Sequence, residues 1–301
     1  MRDISIKYKT FRTARSSAEL KVKRSTIRAI KTGNLPKSDP LVVAKIAGIQ
    51  SAKITSRIIP YCHQVPLDFV NVDIIPGRNS ITIYSEVKAI WKTGVEMESL
   101  VAVTVAALTL YDMLKPIDET MEIGSIKIIK KTGGISKLKE TGNGLTSSVL
   151  VISDSVSKGK VRDQSGKFLL GVLKKFKFQV LCYKVLPDEI SAIEKEIRDL
   201  ADKKKVGLVV TTGGTGIGPR DVTPEATLAV IDKRLEGIEE TFRSYGQERL
   251  PTAMLTRCVV GVRGKTLIVN LPGSLQGVED GVNVLFPSIF HIFKMIKGKG
   301  H

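Results

Sequence analysis

Residues 207–230 read GLVVTTGGTGIGPRDVTPEATLAV, and this stretch decides how the second half of the chain folds. The run from Gly207 to Val210 has the composition of a strand buried on both faces, as in a parallel sheet. A glycine-dense loop follows, then a segment with helical spacing. Strand, glycine loop and helix start together turn bare backbone N–H groups toward an anion. No lysine follows the last glycine, so the loop is not a Walker A motif. Arg220 and Asp221 stand there instead.

The flanking sequence repeats the same alternation. SVLVISDS, FQVLCYKVLP and CVVGVRGKTLIVNLPGS read as strands. QSGKFLLGVLKKF and EISAIEKEIRDLADKKK have helical spacing, and QGVEDGVNVLFPSIFHIFKMI is a final helix with a proline bend. Buried strands joined by amphipathic helices predict an α/β domain, a mostly parallel sheet with helices on both faces. Ligands of such sheets bind at the carboxyl ends of the strands. Those ends carry Asp154 and Ser155, Pro187 and Asp188, the glycine loop, and Pro272-Gly273-Ser274. Asp188 and Asp221 therefore share one sheet edge. Two carboxylates beside a phosphate loop suit magnesium, which takes oxygen ligands and bridges to phosphates. Each also has a plain structural reading. Asp188 is placed to cap the next helix, and Asp221 belongs to a helix start with Thr223 as cap and Pro224 at the first helical position. Arg220 is a candidate phosphate fork, or simply a surface arginine.

The first half has another rhythm. IRAIKTGN ends a helix on glycine, and LVVAKIAGIQSAKITSRIIP is a helix stopped by Pro60. DFVNVDIIPGRNSITIYSEVKAI is a hairpin turning at Pro76-Gly77-Arg78-Asn79. VEMESLVAVTVAALTLYDMLKP is a long apolar helix, and MEIGSIKIIKK a last strand. This predicts an α+β domain, an antiparallel sheet with helices on one side. The polar, aperiodic segment 137–148 separates the halves, giving domains 1–142 and 143–301.

Glu96 and Glu98 open the long helix, where acids complement the dipole. Asp112 lies at its other end, where the dipole opposes an anion, with Lys115 three residues on as an ion-pair partner. On one straight helix Glu98 and Asp112 stand about 21 Å apart. One small substrate then reaches only one of them, unless the site is built between subunits. His63 lies on a loop between two prolines, and Lys37 on another loop. A histidine and a lysine on loops are each ordinary structural residues; together with the carboxylates they suit acid–base work on a polyphosphate.

The whole-chain balance narrows the classes. Of the 301 residues 42% are hydrophobic, enough for two cores, and the net charge is +17. The excess is spread, 23 basic against 13 acidic residues through Thr146 and 24 against 17 after it. Basic stretches lack interleaved aromatics, so nucleic acid is not an expected partner, and no stretch approaches eighteen uncharged apolar residues, so neither is a membrane. Three distant cysteines and three histidines exclude a disulfide framework and argue against a zinc cluster. With no apolar signal core at the N-terminus, a cytoplasmic protein is expected.

AKIAGIQSAK, IPYCHQVPL, KTGVEMESL, ALTLYDMLKP and KKTGG resemble, in order and spacing, the cyclic pyranopterin monophosphate synthases of molybdenum cofactor biosynthesis (MoaC type), over residues 1 to about 137. The resemblance implies rearrangement of a cyclic dihydroguanosine triphosphate to cyclic pyranopterin monophosphate with release of pyrophosphate, without a redox cofactor. It implies a trimer of dimers with sites between subunits. Asp112, Lys115 and Lys37 would be catalytic. Tyr61, Cys62, His63, Glu96, Met97, Glu98, Lys53 and Lys131 would hold substrate. Tyr61 stands where relatives commonly have leucine, and Ile135 where the family has a second lysine.

TTGGTGIGPRDVTPE and NLPGS, with ISDS, PDE and PTAMLTR (the last expected in a late helix), resemble the molybdopterin adenylyltransferases (MogA/MoaB type) over about 147–295. That implies AMP transfer from Mg-ATP to molybdopterin by a trimer. Asp221 would be the central carboxylate and Asp188 its partner in holding magnesium. Thr212, Gly213, Gly214, Thr215 and Gly216 would cradle phosphate, with Arg220, Ser155, Pro272, Gly273 and Ser274 in the ligand site. The two resemblances together imply a bifunctional homo-oligomer, trimer or hexamer, acting on small molecules. The alternative for the second half is a molybdopterin-binding scaffold or carrier.

Overall fold

The computed structural model describes residues 1–134 and 140–298, so Ile135 lies outside the described residues. The chain divides into Met1–Lys137 and Leu138–His301. This division falls a few residues before position 142, for a local reason. Gly142 N–H donates to Phe176 O (2.7 Å), and a Cβ on Gly142 would stand 2.5 Å from the Phe178 ring, so this segment already packs with the second unit.

The first unit holds strands β1 (Thr10–Lys21), β2 (Phe69–Pro76), β3 (Ser80–Trp91) and β4 (Glu122–Gly133), with helices α1 (Arg24–Thr32), α2 (Pro40–Lys53), α3 (Thr55–Ile58) and α4 (Glu96–Leu114). The sheet is antiparallel in the order β2-β3-β1-β4. α2 and α4 cover one face, burying Ala44, Ala102, Ala106 and Leu110 against Leu20, Val72, Ile81 and Ile83. Strand β1 is the central surprise: TFRTARSSAELK carries no apolar alternation. Apart from Leu20 its buried residues are only Ala and Ser (Ala14, Ser16, Ser17 and Ala18), because α4 lies close, Ser16 Oγ meeting Ser99 Oγ at 2.6 Å while Ser85 Oγ donates to Ser99 O at 2.8 Å. The helix expected to run to Pro60 breaks at Ile54, where Thr55 Oγ1 donates back to Ser51 O and Ala52 O.

α4 is long and apolar enough to span a bilayer, yet half of it is buried inside this unit as the core helix. Beyond it Asp118, 1% exposed, ties α1 down. Burial alone would raise its carboxyl, but the N–H of Lys23 and of Thr120 and the hydroxyls of Thr26 and Thr120 donate to it and hold it down to about 2. A depressed carboxylate stabilises fully above its unfolded value near 3.8 and loses that contribution as pH falls toward about 2. Asp118→Asn should therefore lower the stability of this unit at neutral pH by roughly 2 kcal/mol, with the gap to wild type closing in urea titrations below about pH 4. A gap that stayed constant down to strong acid would refute the assignment.

The second unit is a six-stranded sheet in the order β6-β5-β7-β10-β9-β8. The strands are β5 (Thr146–Ile152), β6 (Gln179–Leu186), β7 (Leu208–Thr212), β8 (Lys233–Arg234), β9 (Val260–Arg263) and β10 (Thr266–Leu271). The four from β6 to β10 run parallel, and β9 and β8 form an antiparallel edge. The helices are α5 (Asp154–Ser157), α6 (Ser165–Lys175), α7 (Ile190–Arg198), α8 (Thr223–Leu228), α9 (Glu236–Gln247), α10 (Leu275–Leu285) and α11 (Phe290–Ile296). Alternate strand residues feed two cores. Val149, Val151, Leu208, Val210 and Val269 pack with α6, α9, α10 and α11. Leu150, Ile152, Val209 and Ile268 pack with α7 and α8. α9 was not expected from the sequence, and PTAMLTR, expected within a helix, forms only a 3₁₀ turn at Pro251–Leu255.

Candidate active sites

In the first unit α4 is unbroken from Glu96 to Leu114, so its polar residues gather at two separate ends. At the carboxyl end Asp112 Oδ1 pairs with Lys115 Nζ (2.7 Å) and Oδ2 with Lys37 Nζ (3.2 Å). The hydrogen bond from Lys115, then that from Lys37, holds the Asp112 carboxyl below its usual range. Lys37 Nζ also donates to Asp112 O at 3.3 Å. The local pair expected at this end is present, and a lysine from a distant loop completes it.

At the amino end Glu98 is 3% exposed. Burial raises its carboxyl; Oε1 accepts from Cys62 Sγ at 3.7 Å, and Oε2 has no hydrogen-bond partner among the described residues. Burial, then the Glu98 charge, pushes the Cys62 thiol up to about 11. Glu96 pairs with Lys131 at 3.1 Å. Arg12, which sequence reasoning missed, stands near Glu96: burial lowers its pKa and Glu96 opposes the shift. His63 Nε2 lies 2.8 Å from Arg2 O. Tyr61 is 80% exposed, Met97 is partly exposed, and Lys53 is exposed in the last turn of α2. The structure thus joins Cys62 with Glu98, and Glu96 with Lys131, and leaves Asp112, Lys115 and Lys37 about 21 Å away along the helix.

The Cys62–Glu98 contact makes a chemical prediction. At pH 8 Cys62 should react slowly with iodoacetamide, because so little thiolate exists. Glu98→Gln removes the repelling charge and should accelerate alkylation severalfold, read by mass spectrometry of the Cys62 peptide. Unchanged alkylation would mean the two side chains do not interact.

In the second unit a cavity of about 500 Å³ opens at the carboxyl edge of the sheet, lined by Ser155, Asp188, Thr212, Gly213, Gly214, Asp221 and Gly273. Gly213 (φ 104°) and Gly214 (φ 62°) adopt left-handed backbone, and a Cβ would stand 2.1 Å from Ile152 O at the first and 2.4 Å from Thr223 Oγ1 at the second. Only glycine fits either position. The N–H groups of Gly214, Thr215 and Gly216 have no protein acceptor among the described residues, whereas that of Gly213 donates to Leu271 O (3.1 Å). The free donors of the loop therefore begin at Gly214, after Thr212 and Gly213, with which the cradle was expected to start.

Asp188 is not a helix cap. Glu189 holds that position, and Asp188 instead exchanges two hydrogen bonds with Asp154: Asp154 N–H to Asp188 Oδ2 (2.7 Å) and Asp188 N–H to Asp154 Oδ1 (3.2 Å). Burial first, then the charges of Asp154 and Asp221, raise the Asp188 carboxyl. Arg220 grips Asp154 through Nε (3.1 Å) and Nη2 (3.2 Å), so the fork expected on phosphate holds a carboxylate here. Thr223 does not cap its helix either: its hydroxyl donates to Gly213 O at 2.9 Å. Asp221 Oδ2 accepts from Gly218 N–H at 2.9 Å. Thr212 Oγ1 donates to Pro272 O (2.7 Å), and Ser274 Oγ caps α10 through Gly277 N–H (3.2 Å). Thr215 is 4% exposed and lies, with Gly216, away from the cavity wall.

Arg257 is the second residue that sequence reasoning missed. Its N–H donates to Thr215 O (2.9 Å), its Nε to Gly216 O (2.7 Å) and its Nη2 to Asp221 O (2.5 Å), while Nη1 pairs with Glu225. One arginine thus pins both flanks of the glycine loop. The only sequence signal was its place at the end of PTAMLTR.

Comparison with known proteins finds relatives of both units. Residues 1–134 match the MoaC family model, and residues 148–291 match the model of a probable molybdopterin binding domain. The molybdenum cofactor biosynthesis bifunctional protein of Chlorobaculum tepidum is 42% identical over 301 residues, covering all of this chain and 96% of its own. The chain belongs to the family of molybdenum cofactor biosynthesis bifunctional proteins. As expected of that family, the MoaC-type unit alone is 46% identical, over 138 residues, to the cyclic pyranopterin monophosphate synthase of a Nostoc species; the match covers 45% of this chain and 82% of that one. The crystal structure of the molybdopterin biosynthesis enzyme MoaB from Thermus thermophilus matches 52% of this bifunctional chain and 98% of its own, at 38% identity and a TM-score of 0.49. The bifunctional family assignment covers both units.

Proposed function

We propose that the first unit converts (8S)-3′,8-cyclo-7,8-dihydroguanosine 5′-triphosphate to cyclic pyranopterin monophosphate and pyrophosphate, and that the second adenylylates molybdopterin with Mg-ATP. For the first unit the supporting observation is Asp112 bridged by Lys37 and Lys115. An anionic carboxylate beside two ammonium groups can move protons while the lysines neutralise triphosphate. Because α4 holds Glu98 and Asp112 apart, the complete site takes its two ends from two copies of the chain, which requires a homo-oligomer.

For the second unit the supporting observation is the carboxyl-edge cavity, where Asp188 and Asp221 line the wall together with Gly214, whose N–H has no protein acceptor among the described residues. The described residues contain no group of three or more metal-ligating side chains. Two carboxylates suit magnesium when phosphate oxygens supply further ligands. Asp188 and Asp221 would hold it, and it would neutralise charge on the transferred phosphoryl group. The Gly214 N–H is the loop donor placed to orient a phosphate. A phosphate oxygen of molybdopterin then attacks the α-phosphorus of ATP, and the bond to the β-phosphate breaks to release pyrophosphate.

The test supplies each substrate separately to the full chain. Mass spectrometry should find cyclic pyranopterin monophosphate in one reaction and, only with magnesium, adenylylated molybdopterin in the other. Tight molybdopterin binding without adenylate would make the second unit a carrier and restrict the catalytic reading to the first.

A further inference from the structure

The second unit has another cavity, of about 490 Å³, at the opposite, amino edge of its sheet. Its walls come from the starts of β5, β7 and β10 and from α11. Substrates of parallel sheets bind at the carboxyl edge, so this cavity has no part in the chemistry proposed above. It is also large enough to take a small ligand.

Leu145, Phe293 and Ile296 form an apolar floor continuous with one of the two cores. Lys205, Lys265 and Lys297 stand exposed on the rim, and among the described residues none of the three is paired with a carboxylate. The one acidic residue of the wall, Asp202, is already neutralised by the fork of Arg263 (2.8 and 2.7 Å). The rim is thus positive without an internal counter-ion. Its backbone is unusual in two places. Lys205 adopts left-handed φ (51°), and Asp199–Lys203, which carries Asp202, is a π-helical turn. Both features cost stability and concentrate at ligand sites.

We propose that this cavity binds a small organophosphate carrying a flat ring, at a site separate from both catalytic centres. The ring lies on Leu145, Phe293 and Ile296, and the phosphate meets Lys205, Lys265 and Lys297.

Affinity labelling of the full chain tests this. AMP opened to its 2′,3′-dialdehyde condenses with a lysine amine, losing water, and borohydride reduces the imine to a stable secondary amine. Peptide mapping should find the label on Lys205, Lys265 or Lys297. Excess AMP should abolish it there, while adenosine (no phosphate) and ribose 5-phosphate (no ring) should not. The label should persist in the Asp221→Ala chain, which separates this cavity from the carboxyl-edge site. The proposal fails if labelling is spread evenly over exposed lysines, if ribose 5-phosphate protects as well as AMP, or if Asp221→Ala abolishes the label.

Discussion

Asp112→Asn should lower the turnover of the first unit by roughly 10²–10⁴-fold, the range of a positioned proton-transfer group. The substitution keeps size and shape but removes the charge and most of the basicity. Asp112 is exposed, and its bonds run only to Lys37 and Lys115, so folding should be untouched and circular dichroism should superimpose on wild type. The two lysines hold the carboxyl below its usual range, so it is anionic at neutral pH and available as a base. The check is the steady-state rate of cyclic pyranopterin monophosphate formation. A rate within a few-fold of wild type would leave Asp112 a surface ion pair and move the chemistry elsewhere.

In the second unit Asp221 should matter at least as much, with loss of AMP transfer of about 10³-fold expected on removing its charge. Asp221→Ala confounds two effects, because Oδ2 also accepts the N–H of Gly218 and so shapes the loop. Asp221→Asn separates them: the amide oxygen can still accept that N–H, but the charge facing Asp188 is gone. If charge is what counts, Asn and Ala should be similarly inactive. If Asn is close to wild type and only Ala fails, Asp221 holds the loop rather than the metal. Titrating magnesium in each variant gives an independent reading, since a lost metal ligand raises the magnesium requirement and a loosened loop does not.

Much of this architecture was legible because its signals are local. The buried β runs around Gly207 and Val149 and the glycine loop carry their geometry in a few consecutive residues. Strand β1 was not legible, since its Ala and Ser residues are buried only because α4, far along the chain, presses on them. The same holds at the sites. Asp112, Glu98, Asp188 and Asp221 stood out as carboxylates at element ends. Arg257 and Arg12 did not, because their importance lies in what they touch, and an arginine in sequence names no partner. Arg220 shows the converse: its neighbourhood suggested phosphate, and the fold gave it Asp154.

The length of α4 has a genetic consequence. On the proposed reading, a chain damaged at Glu98 and a chain damaged at Asp112 are each inactive when alone, yet each still carries the end the other lacks. Co-assembled, they place one intact Glu98 opposite one intact Asp112 in a fraction of their sites. Two alleles that fail singly would then support cofactor synthesis together, a complementation that a site contained in one chain could not produce.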